Sequence, residues 1–298
     1  MALSDNLRGA ALMTVAMVAF TTNDTFMKAA TVEVPVFEAI VLRGALTTTA
    51  LLIMSLWMGG LQLRIAKGDR IWVALRTFGE VGGTFTFLQA LKHMPLANLS
   101  AILQFLPLAV TLTAALLFGE KVGWRRMSAI AVGFVGVMLI VRPGTEGFDR
   151  WSILGLLSVA CVVMRDLATR RISTGMSSVT VAFLAGLSVT VGAALILPFT
   201  AVAPVSPLRL AQLVGAAGFL IVGYLTVVMA MRVGDVAVIA PFRYTSLVAA
   251  IILGWLVFHQ WPDGWTLLGS AIVVATGIYT FYRERRLGRQ RLQPTEVG

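Results

Sequence analysis

Apolar residues in this chain come in blocks of about twenty, separated by short polar breaks. About twenty residues at 1.5 Å rise cover ~30 Å, the thickness of a bilayer's hydrocarbon core, so each block predicts a membrane-crossing helix. Ten blocks can be marked, at 7–29, 37–58, 71–91, 95–118, 125–142, 151–171, 177–198, 208–231, 236–258 and 265–282. Pro35, Pro95, Pro143, Pro207 and Pro262 fall at block edges, where a missing N–H costs least. Pro107 and Pro241 lie inside blocks four and nine and predict bends beside a cavity, since each frees a backbone carbonyl that its surroundings must satisfy. Trp57, Trp72, Trp124, Trp151, Trp255, Trp261 and Trp265 stand near block ends, as amphipathic indoles do at a membrane interface. The first block reads as a span and not as a signal peptide: its apolar stretch is too long, it ends in Asp24 and Lys28, and no small-residue cleavage site follows.

Composition agrees with the pattern. Of 298 residues, 58% are hydrophobic and 13% charged, and the mean hydropathy is +0.86, values of a membrane protein. The net charge of +10 raises the question of nucleic acid, but the basic residues sit in connections and in the tail without a nucleic-acid-binding signature. Lipid is the partner they predict, and no nucleic acid. With ten spans, sixteen of the 24 Lys and Arg, Arg165 among them, fall in one set of connections plus the tail, and five, Lys28 among them, in the opposite set. The remaining three, Arg43, Arg76 and Arg243, are inside spans. The positive-inside rule then places both termini in the cytoplasm of a multi-pass inner-membrane protein. Residues 283–298 read as a basic anchor followed by disorder. The single Cys161 excludes an intrachain disulfide, and no Cys/His set is spaced to hold a metal, so neither metal nor cofactor is expected.

The chain resembles itself. Residues 90–118 align without a gap to 230–258 at an offset of 140, matching Ala90 to Ala230, Lys92 to Arg232 and Phe118 to Phe258. After one inserted residue Gly123-Trp124 meets Gly264-Trp265, and Asp24 and Lys28 meet Asp166 and Arg170 at an offset of 142. Each copy holds five spans, and an odd number forces the copies into opposite orientations. The expected architecture is all-α, with ten transmembrane helices in two inverted repeats, 1–146 and 147–282, and the tail at 283–298.

Arg43, the run into Phe118-Gly119-Glu120-Lys121, and the Gly123-Trp124, Gly133, Gly136 stretch give this pattern a family. The chain resembles the EamA family of the drug/metabolite transporter superfamily, and within it the bacterial aromatic amino-acid exporters of the YddG type. That resemblance implies a secondary transporter of small metabolites, amino acids above all, with export as the expected direction. Gln260 stands where the first copy has Glu120, and Leu247 where it has Pro107, so nothing carries over at those two places.

Ionisable residues within a bilayer cost at least ~3 kcal/mol on insertion scales and default to functional candidates. Arg76 and Glu80 stand one turn apart on one face of the third span, as an ion pair or as a protonatable group in a cavity. Asp24 and Arg43 lie at equal depth in spans one and two and form a candidate salt bridge, structural or gating, with Asp166 as the repeat mate of Asp24. Gln104, Arg243, Tyr244 and Ser246 flank the two inner prolines and, with Glu80, Gln89 and Tyr224, are the candidates to line a substrate cavity. Gly82, Gly83, Gly215 and Gly218 read as close-packing points between helices.

Other classes fit less well. No hydrolase or metalloprotease motif is present and both histidines lie near span ends, so the chain is not expected to be an enzyme. No phosphate-binding loop is present, which excludes ATP hydrolysis by this chain, and no repeated polar ring marks a channel filter. A channel or facilitator for small solutes is the alternative. Proton coupling is open to Asp24, Glu80 and Asp166, and nothing in the sequence calls for more than a monomer.

Overall fold

A computed structural model describes residues 3–57, 67–120, 122–143, 150–172, 178–233 and 235–292. Among them every regular element is helical: α1 (Leu3–Ala30), α2 (Val36–Trp57), α3 (Arg70–His93), α4 (Leu96–Leu103), α5 (Leu106–Phe118), α6 (Trp124–Val141), α7 (Arg150–Thr169), α8 (Ser178–Ile196), α9 (Pro207–Val233), α10 (Val236–Ile239), α11 (Thr245–Phe258) and α12 (Gly264–Leu292), with short 3-10 turns between some of them. The boundary expected at 146/147, and Arg64 and Lys121 of the charge count, lie outside the described residues. The backbone of α12 stays helical through the basic stretch to Leu292, and the disorder expected after that stretch falls outside the described residues.

Eight helical segments among the described residues are long and apolar enough to cross a membrane, counting α4 with α5 and the turn at 240–244 with α11 as one segment each. The two remaining blocks, α1 and α3, have the length but fall short in composition. Asp24 in α1, and Arg76 with Glu80 in α3, lower the hydropathy of these two helices and carry charge into the interior. Large apolar side chains such as Leu116, Phe134, Leu195, Val214, Trp255 and Leu256 point outward, as a lipid-facing surface requires.

Blocks four and nine are broken where proline was expected to bend them. Between α4 and α5 the helix tightens at Gln104 and Phe105, and Pro107 sits in the first turn of α5, where it has no N–H to offer the carbonyl four residues back. Between α10 and α11 the chain makes a 3-10 turn, Ala240–Tyr244, with Pro241 near its start. Both proline positions are helix starts, the one place in a helix where proline is cheap.

Packing partners repeat a pattern. α1 lies against α9 and α11, α7 against α3 and α5, α2 against α8, α6 against α12, and α4 against α11. Exchanging α1, α2, α3, α4–α5 and α6 with α7, α8, α9, α10–α11 and α12 returns the same set. Small residues let these helices approach, since helix association in lipid rests on close packing. A Cβ on Gly79 would lie 2.6 Å from the Cys161 carbonyl oxygen of α7, and one on Gly136 would lie 2.9 Å from the Gly269 carbonyl oxygen of α12. Gly82, Gly83 and Gly215 also meet neighbouring side chains, but Gly218 faces open space and is no packing point.

Lys28 was counted in a connection and is instead buried, with its ammonium donating to the carbonyls of Leu91 (2.7 Å) and Met94 (2.6 Å) at the end of α3. It thereby satisfies terminal carbonyls that a helix leaves without partners.

Candidate functional site

The two broken segments meet at the centre of the bundle. Gln104 donates from Nε2 to the Ser246 hydroxyl (2.7 Å), Ser246 donates to the Arg243 carbonyl (2.9 Å), and Thr21 of α1 reaches the Ser246 carbonyl (3.3 Å). Around this junction lies a cavity of about 480 Å³, within the size range of small-molecule sites. Its walls come from α1, α2, α3, α4, α5, α7 and α9, with Arg243 of the 240–244 turn and Ser246 of α11. Phe20 and Tyr224, packed edge to face, and Phe87 supply aromatic surface, while Ser100 and Ser158 add hydroxyls.

Five of the seven cavity candidates are in the lining: Glu80, Gln104, Tyr224, Arg243 and Ser246. Gln89 and Tyr244 are not. Nine residues at ~100° each carry Gln89 half a turn away from Glu80, to the opposite side of α3. Tyr244 follows Arg243 in a 3-10 turn of about three residues per turn, so Arg243 and Ser246 share a face and Tyr244 does not. Its ring is buried instead against α12, its hydroxyl occupying the space that Gly277 leaves.

The charges form two groups. Glu80 is held through both oxygens, Oε2 to Arg76 (3.5 Å) and Oε1 to Arg165 (3.4 Å), and Arg165 also binds Asp166 (2.9 Å). The Arg76–Glu80 pair was legible from its spacing. Arg165, counted in a connection, is a cavity residue on α7, and one signal marked it: at the 142 offset it is the mate of Asn23. In the second group the expected Asp24–Arg43 salt bridge is replaced by a relay. Arg43 donates to the Asn23 side-chain oxygen (3.3 Å) and Asn23 donates to Asp24 (2.9 Å), so the amide stands between the two charges. Asp24 and Arg43 line the cavity, whereas Arg76 and Asp166 stand behind it and act on it through Glu80 and Arg165. No cluster of metal-ligating side chains exists among the described residues.

A helical membrane bundle with a charged, aromatic-lined chamber at the meeting of two broken segments defines a class, that of small-solute membrane transporters. The chain belongs to the EamA-like transporter family, whose model matches it twice, over residues 7–142 and 149–282. Among curated relatives, an S-adenosylmethionine uptake transporter of Rickettsia conorii is 25% identical over 96% of both chains. A riboflavin transporter of Vibrio cholerae is 30% identical over 74% of both chains. The pseudopaline exporter CntI of Pseudomonas aeruginosa is 24% identical over 91% of this chain and 94% of its own. One solved crystal structure, 22% identical, superposes with a TM-score of 0.59 over 94% of this chain and 98% of that one, which speaks for the fold. These relatives are named for three different cargoes, none of them a free aromatic amino acid.

Proposed function

We propose that this chain is a secondary transporter that carries small metabolites across the inner membrane by alternating access, with the central cavity as its cargo site. In this reading the chain crosses the bilayer ten times as two inverted halves, 1–146 and 147–282, with both termini in the cytoplasm, and works as a monomer. The observation that carries it is the cavity itself: elements of both halves wall one polar chamber, at the place where each half contributes a broken segment. The exchange pattern among packing partners and the doubled family match support the two halves. The 16-to-5 bias in Lys and Arg, which becomes 15 to 4 once Arg165 and Lys28 are moved inside, supports the orientation.

The cargo we propose is an amino acid or a metabolite built on one. Guanidinium, carboxylate and aromatic groups in a single chamber suit a zwitterionic head with an apolar side, and S-adenosylmethionine, the cargo in one relative's name, carries such a head. Named relatives include both uptake and export proteins, and direction follows the driving gradient.

The test is movement of labelled solutes into vesicles holding the purified protein, with S-adenosylmethionine, riboflavin, phenylalanine and methionine as the panel, with and without a proton gradient. At least one solute should enter faster than into protein-free vesicles and should speed up when unlabelled solute is loaded inside. Flux that never saturates and shows no such exchange would make the chain a channel and overturn the reading.

A further inference from the structure

We propose that Arg243 is the anion anchor of the cavity, so that every cargo held there in preference to its uncharged analogue presents a carboxylate to this guanidinium. The inference rests on the cargo-site reading above and adds to it which end of the cargo goes where.

Ion pairing inside the cavity is complete except at one place. Glu80 spends one oxygen on Arg76 and the other on Arg165, and Arg165 is shared further with Asp166. Arg43 and Asp24 are joined through the Asn23 amide. The Arg243 guanidinium lines the same chamber, yet among the described residues it has neither a hydrogen-bond acceptor nor a carboxylate within ion-pair distance. The hydrogen bond at this residue is made by its backbone carbonyl, which accepts from Ser246. Counting the lining and the two groups behind it, four guanidiniums (Arg43, Arg76, Arg165, Arg243) face three carboxylates (Asp24, Glu80, Asp166). One positive charge is left over, and Arg243 is where it sits.

The Arg243 side chain is exposed to the open chamber, where a carboxylate from the cargo can reach and neutralise it. A guanidinium presents a planar fork of N–H donors that meets both oxygens of a carboxylate at once, which gives orientation as well as attraction. The backbone is prepared for this role. Arg243 stands on the 3-10 turn between α10 and α11, started by Pro241 and closed by the bond from Ser246, which Gln104 holds from the other broken segment.

The repeat makes the anchor one-sided. At the offset of 140 the mate of Arg243 is Leu103, which also lines the cavity. At these equivalent positions a cargo therefore meets a cation on the second half and apolar surface, Leu103, on the first, where Phe87 adds an aromatic face to the lining. Its carboxylate points to Arg243 and its apolar part to Leu103.

Binding, read by thermal shift and tryptophan fluorescence on the purified full chain, separates this inference from the transport reading. The probes are phenylalanine, methionine and S-adenosylmethionine, each beside its carboxamide. At least one carboxylate should bind roughly 10- to 100-fold more tightly than its amide, the range expected of hydrogen bonds to a charged partner. Arg243→Gln should abolish that preference, and Arg243→Lys should restore part of it. Equal binding of acids and amides, no carboxylate binding at all, or an unchanged preference in Arg243→Gln would each overturn the anchor. If neither variant can be purified, the acid-to-amide ratio of the unmodified protein decides. Carboxylate-selective binding without any flux in vesicles would keep the anchor and reject the transporter. Saturable exchange of riboflavin alone, with no carboxylate bound, would do the reverse.

Discussion

Single residues inside the bilayer were legible wherever their partner lay on the same helix. Arg76 and Glu80 share a face by spacing alone, and the structure finds them paired. Partners on other helices were not legible, because sequence gives depth but not rotation about the helix axis. Asp24 and Arg43 were matched by depth, and the amide of Asn23 turned out to stand between them. From sequence, Arg165 counts with Arg170 and Arg171 in a connection near the end of a block. α7 in fact runs to Thr169 and carries Arg165 into the interior. Glu80 is now the brace of two guanidiniums, and that decides what its loss does. Glu80→Gln should leave Arg76 without its counter-charge and Arg165 with Asp166 alone, and cost on the order of 3 kcal/mol of stability. The thermal midpoint in detergent should fall by several degrees. An unchanged midpoint would mean that the pair of bridges contributes nothing to the fold.

Elements were easier to read than their ends. Block periodicity located the helices, and the two inner prolines located the breaks, because both are properties of the chain taken alone. Helix ends depend on capping geometry. α5 and α11, the second parts of the broken segments, end alike: Gly119 follows Phe118 with a φ of 66°, and His259 follows Phe258 with a φ of 54°. Glycine takes that left-handed conformation freely, while a residue with a Cβ is strained there by roughly 1–2 kcal/mol. His259→Gly should therefore stabilise the protein by about 1 kcal/mol, seen as a higher thermal midpoint with transport unchanged. A lower midpoint would show that the imidazole makes a contact worth more than the strain. The sequence offered a hint here, since Gly119 and His259 are repeat mates at the offset of 140.

For the whole molecule, the sequence was most informative through its repetition and least informative about the chamber. Offsets of 140 and 142 predict which helices are equivalent but not which faces meet, and four of the five candidates found in the lining stood out because they flank proline or carry charge. Phe20, Phe87, Thr84 and Ser158 look like ordinary span residues and become visible only in three dimensions. The central claim is that this chamber opens to either side of the membrane in turn. Thiol accessibility at Thr84, a lining residue outside the charged groups, measures that most directly, using Thr84→Cys with Cys161→Ala in sealed vesicles of known orientation. A membrane-impermeant thiol reagent should reach position 84 when supplied from either face, and addition of a transported solute should change the two rates in opposite senses. Labelling from one face alone, with and without solute, would contradict alternating access and leave a pocket with a single mouth.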